Sequence, residues 1–339
     1  MKKQWWIGLT ISFVSAVILI YVLNENEAEK MYQNPVYEPV LADPSIIAAD
    51  DGYYYAYGTE DAWGDLARTV PIPIVKSSDL IHWEYVGPAF EEKPSWKVSG
   101  DLWAPHIAYY NNQYVLFYSY SRWGDDNPAI GLAVSEIPTG PFLDLGKLFS
   151  SDEIGVANSI DPFLFVENET PYLFWGSFYG TYAVELTDDL KQVVGTPVEI
   201  ADEQYEAVYI KEKAGEYYFF GSRGSCCDGP NSTYNVGVGK ATDLLGPYRD
   251  QSDIALTEGG GTLLLTGNDI IAGPGHNALI TDKNGEDWLV YHGIVKDEPH
   301  LWTGASRRPL FIDRIRWEEG WPTIENNTPS VEQKEGPAT

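Results

Sequence analysis

The stretch Asp43-Pro-Ser-Ile-Ile, followed after a turn by Tyr53-Tyr54-Tyr55, decides the fold because related pairs of segments recur four more times. Each copy opens with a short apolar strand signal and continues into an aromatic strand that ends near Gly or Ser. The later copies begin at Ala104-Pro-His-Ile-Ala, Asp161-Pro-Phe-Leu-Phe, Glu206-Ala-Val-Tyr-Ile and His276-Asn-Ala-Leu-Ile, with aromatic partners at 114–118, 172–175, 217–220 and 288–291.

The spacing of these copies predicts a closed repeat fold. They recur roughly every 58 residues, a period typical of propellers and related arrays. A second hairpin follows the first in several copies, which gives four strands per copy. We therefore predict an all-β, five-bladed β-propeller over residues 31–325, followed by a polar tail at 326–339. A β-sandwich also has many short strands, but it needs no fivefold period.

The first residue of each copy is where chemistry is expected. The innermost strand of a propeller blade lines the central channel, so equivalent opening residues should meet at one mouth of that channel. Three of the five openers are acids, and the full set is Asp43, Ala104, Asp161, Glu206 and His276. The repeat therefore predicts that acids far apart in the sequence meet in one pocket.

The formal net charge of −28 limits the class of partner. It argues against nucleic acid, whose phosphates attract basic surfaces, and against polyanionic substrates and anionic membranes. A neutral oligosaccharide or polysaccharide remains compatible. Solubility alone also accounts for a large negative charge.

Residues 1–30 form a separate segment that predicts export. Lys2 and Lys3 precede an uncharged, largely apolar stretch from Trp5 to Leu23, and an acidic run follows. This charge order is typical of a segment whose N-terminus stays inside the cell. We expect an export signal or an uncleaved membrane anchor, and hence a secreted, periplasmic or membrane-anchored protein that faces outside.

The chain has two cysteines, Cys226 and Cys227, which are neighbours. Adjacent Cα atoms lie about 3.8 Å apart, below the usual range for a disulfide. Two free thiols and a disulfide between the neighbours therefore remain as alternatives. Neither state would cross-link distant parts of the fold.

Three converging acids suit cleavage of a glycosidic bond. One carboxyl group protonates the leaving oxygen while another activates water or attacks the anomeric carbon. The proton donor needs a raised pKa, which a neighbouring carboxylate supplies through repulsion between like charges. Asp before Pro often only caps a turn, so the prediction depends on the shared position of Asp43, Asp161 and Glu206 in the repeat.

Aromatic side chains near the predicted mouth are candidates for packing against a sugar ring. Trp103 immediately precedes the second opener, and we predict that Trp103, Trp175 and Ser177 bind substrate. Other aromatic residues that follow second strands are Trp63, Trp123, Phe178 and Tyr179.

His276 opens the fifth copy within Gly273-Pro-Gly-His-Asn. The two glycines indicate a close approach of the backbone to something at the channel. One histidine cannot form a zinc site, so we expect a calcium-like ion with mostly water ligands near the axis. A buried, hydrogen-bonded histidine is the alternative.

These motifs resemble glycoside hydrolase family 43, whose members are five-bladed propellers acting on arabinose- and xylose-containing polysaccharides. The similarity runs from about Asp43 to Pro322. It implies that Asp43 is the general base, Asp161 the pKa modulator and Glu206 the general acid of an inverting reaction. By the same resemblance, His276 helps to hold a calcium or similar ion. The matching motifs include Leu102-Trp-Ala-Pro-His, Ser159-Ile-Asp-Pro-Phe, Tyr205-Glu-Ala and Gly275-His-Asn.

Within that family, the second half of the chain is most similar to the arabinan endo-1,5-α-L-arabinosidases. Gly224-Ser-Cys-Cys and Gly259-Gly-Gly-Thr-Leu-Leu-Leu carry this similarity. Ser306-Arg-Arg-Pro-Leu is closer to exo-acting β-xylosidases and α-arabinofuranosidases, which therefore remain the alternative. A sugar-binding propeller without catalysis is disfavoured, because binding alone does not need three like charges in one pocket.

Overall fold

A computed structural model describes residues 31–61 and 69–338. The predicted export segment, residues 1–30, and Trp63 lie outside the described residues. Within them are five four-stranded antiparallel sheets, each formed by four strands consecutive in sequence. This arrangement confirms the predicted five-bladed β-propeller.

The first three blades occupy the N-terminal half of the described chain. Blade one contains β2 (Ser45–Ala48), β3 (Tyr54–Tyr57), β4 (Pro73–Ser77) and β5 (Trp83–Pro88). Blade two contains β6 (Asp101–Tyr110), β7 (Gln113–Ser121), β8 (Ala129–Ser135) and β9 (Leu143–Ser150). A one-turn helix, α1 (Ser151–Ile154), precedes blade three, which contains β10 (Phe163–Glu167), β11 (Thr170–Trp175), β12 (Thr181–Leu186) and β13 (Val193–Ala201).

The last two blades and a small closing sheet complete the ring. Blade four contains β14 (Glu206–Lys213), β15 (Glu216–Arg223), β16 (Asn235–Ala241) and β17 (Thr262–Leu265). Blade five contains β18 (Ile271–Thr281), β19 (Asp287–Val295), β20 (Leu310–Glu318) and β21 (Trp321–Thr323). The closing sheet pairs β1 (Met31–Tyr32) with β22 (Lys334–Glu335), and short 3₁₀ turns lie at Gly229–Asn231, Leu256–Glu258 and Glu325–Asn327.

Tight turns join the first two strands of the blades, as the sequence predicts. In blade two the turn residues Asn111 and Asn112 both have positive φ, and Ala214 and Gly215 do the same in blade four. This backbone twist matches that of the flanking strands. Since the first turn is at one end of every blade, the start of each first strand and the end of each second strand lie together at the opposite end.

The first strands contact one another in ring order around the axis, from β2 through β6, β10, β14 and β18 back to β2. Buried aromatic and aliphatic side chains fill the spaces between neighbouring blades. The largest fully buried side chains include Trp175, Trp288, Tyr234 and Tyr291. Close packing of these rings between blades fixes the position of each first strand.

Blade five is made from one continuous segment, so segments outside the blades close the ring. The Asn34 amide donates to the carbonyl of Ile312 at 2.7 Å and accepts from its N–H at 3.0 Å. The Tyr32 hydroxyl donates to buried Asp313 at 3.2 Å. The residues after 325 also take part, because β22 pairs with β1. Among residues 31–61 and 69–338, no helix has the length and apolar character needed to cross a bilayer.

Cys226 and Cys227 are bonded to each other in the loop between β15 and β16. The structure therefore selects the bridge between neighbours from the two states that the sequence left open. Both residues are half-buried, and the carbonyl of Cys226 accepts a hydrogen bond from Ser232 within the same loop.

We expect this bridge to contribute little to global stability, because a ring closed between adjacent residues removes almost no chain entropy from the unfolded state. The double change Cys226→Ser with Cys227→Ser should leave the melting temperature of the protein nearly unchanged, as measured by circular dichroism. A large drop in melting temperature would contradict this prediction.

Candidate active site

One cavity on the propeller axis is lined by the first strand of every blade. The residues that line it include Pro44, Ala104, Asp161, Ala207 and His276, one from each blade. The inner position predicted for the first strands is therefore correct. It brings together side chains that are far apart in the sequence.

The opening residue of each blade has a left-handed backbone. The φ angles are 52° at Asp43, 44° at Ala104, 60° at Asp161, 55° at Ala207 and 48° at His276. This conformation costs a non-glycine residue about 1–3 kcal/mol, so its presence in all five blades indicates that surrounding contacts enforce it.

Those contacts are hydrogen bonds from the opening amide to a side chain in, or just after, the preceding blade's second strand. The N–H of Ala104 donates to Thr59 Oγ1 at 2.9 Å, and that of Asp161 donates to Ser119 Oγ at 2.9 Å. The same bond joins His276 to Ser222 Oγ at 2.8 Å, and Asp43 to His292 Nδ1 at 3.1 Å.

The fourth copy departs from this pattern, and its predicted alignment was wrong by one residue. The left-handed residue of blade four is Ala207, and its N–H donates to Asp161 Oδ2 at 3.2 Å. Glu206 precedes it, in the position that Trp103 occupies in blade two. Ser177, which lies two residues after the preceding second strand, donates its hydroxyl to Glu206 Oε2 at 2.7 Å.

Asp43 is held in its ionised form. Arg308 Nη1 lies 3.1 Å from Oδ1 and 3.3 Å from Oδ2, and the Thr59 hydroxyl donates to Oδ2 at 2.6 Å. Burial alone would raise the pKa of Asp43, but Arg308 and the imidazoles of His276 and His292 outweigh burial and hold it well below the usual range. Burial lowers the pKa of both histidines, that of His276 to about 4, so Arg308 supplies the charge at neutral pH.

Asp161 and Glu206 have the opposite environment. Both are about nine-tenths buried, and no cation within hydrogen-bond distance of either appears among the described residues. Burial, and then repulsion from Glu206 and Asp43, raises the pKa of Asp161 well above its usual range. Burial raises the pKa of Glu206 to about 7 against the opposing hydrogen bonds from Tyr234 and Ser177. The two carboxyl groups titrate as a pair that retains a proton near neutral pH.

His276 lines the cavity, with Nδ1 3.4 Å from Asp43 Oδ1. The next residue, Asn277, lines the same cavity and is almost completely buried. Neither polar atom of the Asn277 amide has a hydrogen-bond partner among the described residues. These two residues present a nitrogen and an amide to the axis.

Two residues predicted to bind substrate are buried. Trp175 was predicted wrongly: its side chain is fully buried, packs against Phe149 and donates from Nε1 to Ser159 at 3.0 Å. Its side chain points into the space between blades because side chains alternate along a strand. Ser177 is also buried, and its hydroxyl donates to Glu206, so a substrate-binding role for Ser177 stays a prediction.

Trp103 is half-buried at the mouth, and its ring lies 5.9 Å from that of exposed Trp123. Phe178 and Tyr179 are also exposed, in the loop between β11 and β12.

The sequence analysis missed several side chains that surround the acids. Arg308, His292 and Thr59 contact Asp43, while Tyr234 contacts Glu206. The repeated Gly-Thr or Gly-Ser ending of second strands was a visible signal for Thr59 and Ser177. Arg308 and Tyr234 follow long loops whose paths no local pattern predicts.

A propeller channel that combines an ionised acid with two acids of raised pKa has the groups that cleavage of a glycosidic bond requires, and so indicates a class of enzyme, the glycoside hydrolases. The sequence model of glycosyl hydrolases family 43 matches residues 32–322. The chain therefore belongs to this family and is a glycoside hydrolase.

Relatives of known activity have similar chains. An extracellular endo-α-(1→5)-L-arabinanase of Bacillus subtilis is 32% identical over 95% of this chain and 99% of its own. An extracellular exo-α-(1→5)-L-arabinofuranosidase of Cellvibrio japonicus is 31% identical over 78% of this chain and 83% of its own. The solved structure of a Cellvibrio cellulosa α-L-arabinanase with arabinohexaose has a TM-score of 0.74 at 30% identity, covering 85% of this chain and 96% of that one.

We expect Arg308→Met to raise the pKa of Asp43, because it removes the adjacent positive charge. An opposite charge at this distance lowers a carboxyl pKa by about 1–3 units. A base works only when ionised, so the acid limb of kcat/KM against pH should move to higher pH by a comparable amount. Arg249→Met, at an exposed arginine of blade four, is the control and should leave the limb in place. An unshifted limb in Arg308→Met would show that this arginine does not set the ionisation of Asp43.

Proposed function

We propose that this protein hydrolyses α-1,5-linked arabinan with inversion at the anomeric carbon. The observation that carries the proposal is the difference in environment between Asp43 and the other two acids at the channel mouth. Asp43 has a cation beside it, whereas Asp161 and Glu206 share a buried site without one. An ionised base and a protonated acid are what hydrolysis of a glycosidic bond requires at neutral pH.

In this mechanism Asp43 accepts a proton from a water molecule as that water attacks the anomeric carbon. Glu206 gives its proton to the glycosidic oxygen, which leaves with the electrons of the broken bond. Asp161 modulates the pKa of Glu206 as its buried partner, because the two coupled carboxyl groups cannot both ionise at neutral pH. Attack and departure occur on opposite faces of the sugar, so the configuration inverts.

The substrate class is inferred from the relatives and from charge. The Bacillus subtilis relative is named for endo action on α-1,5 linkages, and its match extends over almost all of both chains. A neutral arabinan also suits a protein with a net charge of −28. We further infer that Trp103 and Trp123 provide a ring surface for sugar units at the mouth.

Exo action is the second candidate, because the Cellvibrio japonicus exo-acting relative is nearly as similar in sequence. We also infer export, which the apolar segment after Lys2 and Lys3 and the extracellular relatives support.

The proposal is tested by incubating the enzyme with linear arabinan, branched arabinan and xylan. We expect linear arabinan to yield a series of oligosaccharides, and proton NMR of early product to show the inverted anomer. A single small product would indicate exo action instead. A retained anomer would refute the role given to Asp43, and preference for xylan would refute the substrate.

Glu206→Gln should reduce hydrolysis of arabinan by about 10²–10⁴-fold, the usual worth of general acid catalysis, because Gln keeps the shape but has no proton to donate. An aryl arabinoside with a good leaving group needs less protonation and should lose less activity. Equal losses on both substrates would argue against this role for Glu206.

We further propose that His276 helps to hold one calcium-like ion near the axis. Support comes from the neighbouring Asn277, whose buried amide has no partner among the described residues and whose oxygen suits a hard cation. No cluster of three or more His, Cys, Asp or Glu suited to a metal is found within 31–61 and 69–338. Water would therefore supply most ligands, and the ion would offset repulsion among the acids.

Chelation should lower activity without unfolding the domain, and added calcium should restore it. His276→Ala should show the same loss but resist rescue by calcium. His82→Ala, at an exposed turn of blade one, serves as the control and should respond to chelator and calcium as the wild type does. Full activity of the wild type in chelator would leave His276 with a hydrogen-bonding role only.

A further inference from the structure

Tyr234 lies directly beside Glu206, and the mechanism above does not use it. Its hydroxyl donates to Glu206 Oε1 at 2.5 Å, while the Ser177 hydroxyl donates to Oε2 at 2.7 Å. Tyr234 is only 1% exposed, so this bond is made away from water. Each carboxyl oxygen keeps a second acceptor position, which leaves room for the acid's own proton.

The ring of Tyr234 is held by the Gly273-Pro-Gly segment of β18. A Cβ atom on Gly275 would lie 2.3 Å from Cδ1 of Tyr234, and one on Gly273 would lie 2.0 Å from Oγ of Ser232. Real Cβ contacts are essentially never this short. The two glycines are therefore needed for the ring and its loop to pack against the β18 backbone, where the sequence analysis expected an ion.

Further contacts fix Tyr234 from its other sides. Its ring stacks on His292, with centroids 5.9 Å apart and planes 15° from parallel. Its N–H donates to the carbonyl of Ser225 at 3.1 Å, and Ser232 Oγ donates to the same carbonyl at 2.6 Å. His292 in turn accepts the amide hydrogen of Asp43, so one packed chain of groups connects Glu206 to Asp43.

We propose that Tyr234 is a positioning residue that orients Glu206 for proton donation and stabilises the carboxylate left after the proton has moved. This inference rests on the role of Glu206 as proton donor. When Glu206 gives its proton to the glycosidic oxygen, the negative charge stays on its carboxylate. The hydroxyls of Tyr234 and Ser177 already point at the two oxygens that receive this charge.

Tyr234 keeps its own proton throughout this step. Burial, followed by the charges of Glu206 and Asp161, raises the pKa of its hydroxyl well above the usual value. The tyrosine is therefore a permanent donor and does not replace Glu206 as the acid.

Tyr234→Phe tests the proposal because it keeps the ring and its packing but removes the hydroxyl. A hydrogen bond to a charged group has a net worth that corresponds to a loss of roughly 10–100-fold in kcat. KM should change little. The alkaline limb of kcat should move to higher pH, because the carboxylate of Glu206 loses a donor that favours it. The loss should be smaller on an aryl arabinoside with a good leaving group.

Tyr248→Phe is the matched control. Tyr248 is equally buried, lies between β16 and β17 and donates to the carbonyl of Leu244 at 2.7 Å, away from the acids. It should lose some thermal stability and keep the wild-type pH profile. If Tyr234→Phe behaves in the same way, Tyr234 is only structural and the proposal is wrong.

Two further variants separate this proposal from the proposed function. In a Glu206→Gln background, Tyr234→Phe should cause little additional loss, since the tyrosine acts through Glu206. If Tyr234→Phe lowers activity as much in this background as in the wild type, the proposal is wrong. High activity of Glu206→Gln by itself would instead contradict the role of Glu206.

If Tyr234→Phe does not fold, Gly275→Ala, which displaces the ring, should show the same shift of the alkaline limb of kcat to higher pH. If Gly275→Ala folds and its alkaline limb of kcat is at the same pH as in the wild type, the proposal is also wrong.

Discussion

The site depends on one repeated interaction, the hydrogen bond from the N–H of a left-handed opening residue to a side chain in, or just after, the preceding blade's second strand. Ala104, Asp161 and His276 each donate their amide hydrogen to a Ser or Thr hydroxyl, and Asp43 donates to His292. Each bond joins two blades at the channel mouth and holds a backbone conformation that non-glycine residues avoid. These hydrogen bonds between blades therefore also fix the positions of the opening residues.

The seam between blades three and four breaks this pattern, and the acids meet there. The N–H of Ala207 donates to the carboxylate of Asp161, and the Ser177 hydroxyl donates to the side chain of Glu206. A glutamate, Glu206, in place of Trp103 or Gly275 before the left-handed residue makes this exchange possible. At this seam the contact between blades is made by two buried acids and their hydrogen-bond donors.

Charge differs across the same channel mouth. Arg308 from blade five contacts Asp43, whereas Asp161 and Glu206 receive only neutral donors. Desolvation penalises all three carboxylates, and the penalty is outweighed at Asp43, which lies beside Arg308 and two imidazoles. Asp43 is therefore ionised while the other two retain a proton. The sequence carries three similar acids, and their surroundings make them chemically different.

The sequence by itself determined the number of blades, their four-stranded pattern and the meeting of Asp43, Asp161 and Glu206. All three follow from the repeat, which is visible in the sequence because strands and tight turns have local residue preferences. It did not determine the one-residue shift at Glu206, the burial of Trp175 or the identity of the groups around each acid. Arg308 and Tyr234 come to the acids at the ends of long loops, and their positions depend on packing between blades. Ionisation depends on burial and on charges from distant segments, so only the tertiary structure decides which acid holds a proton.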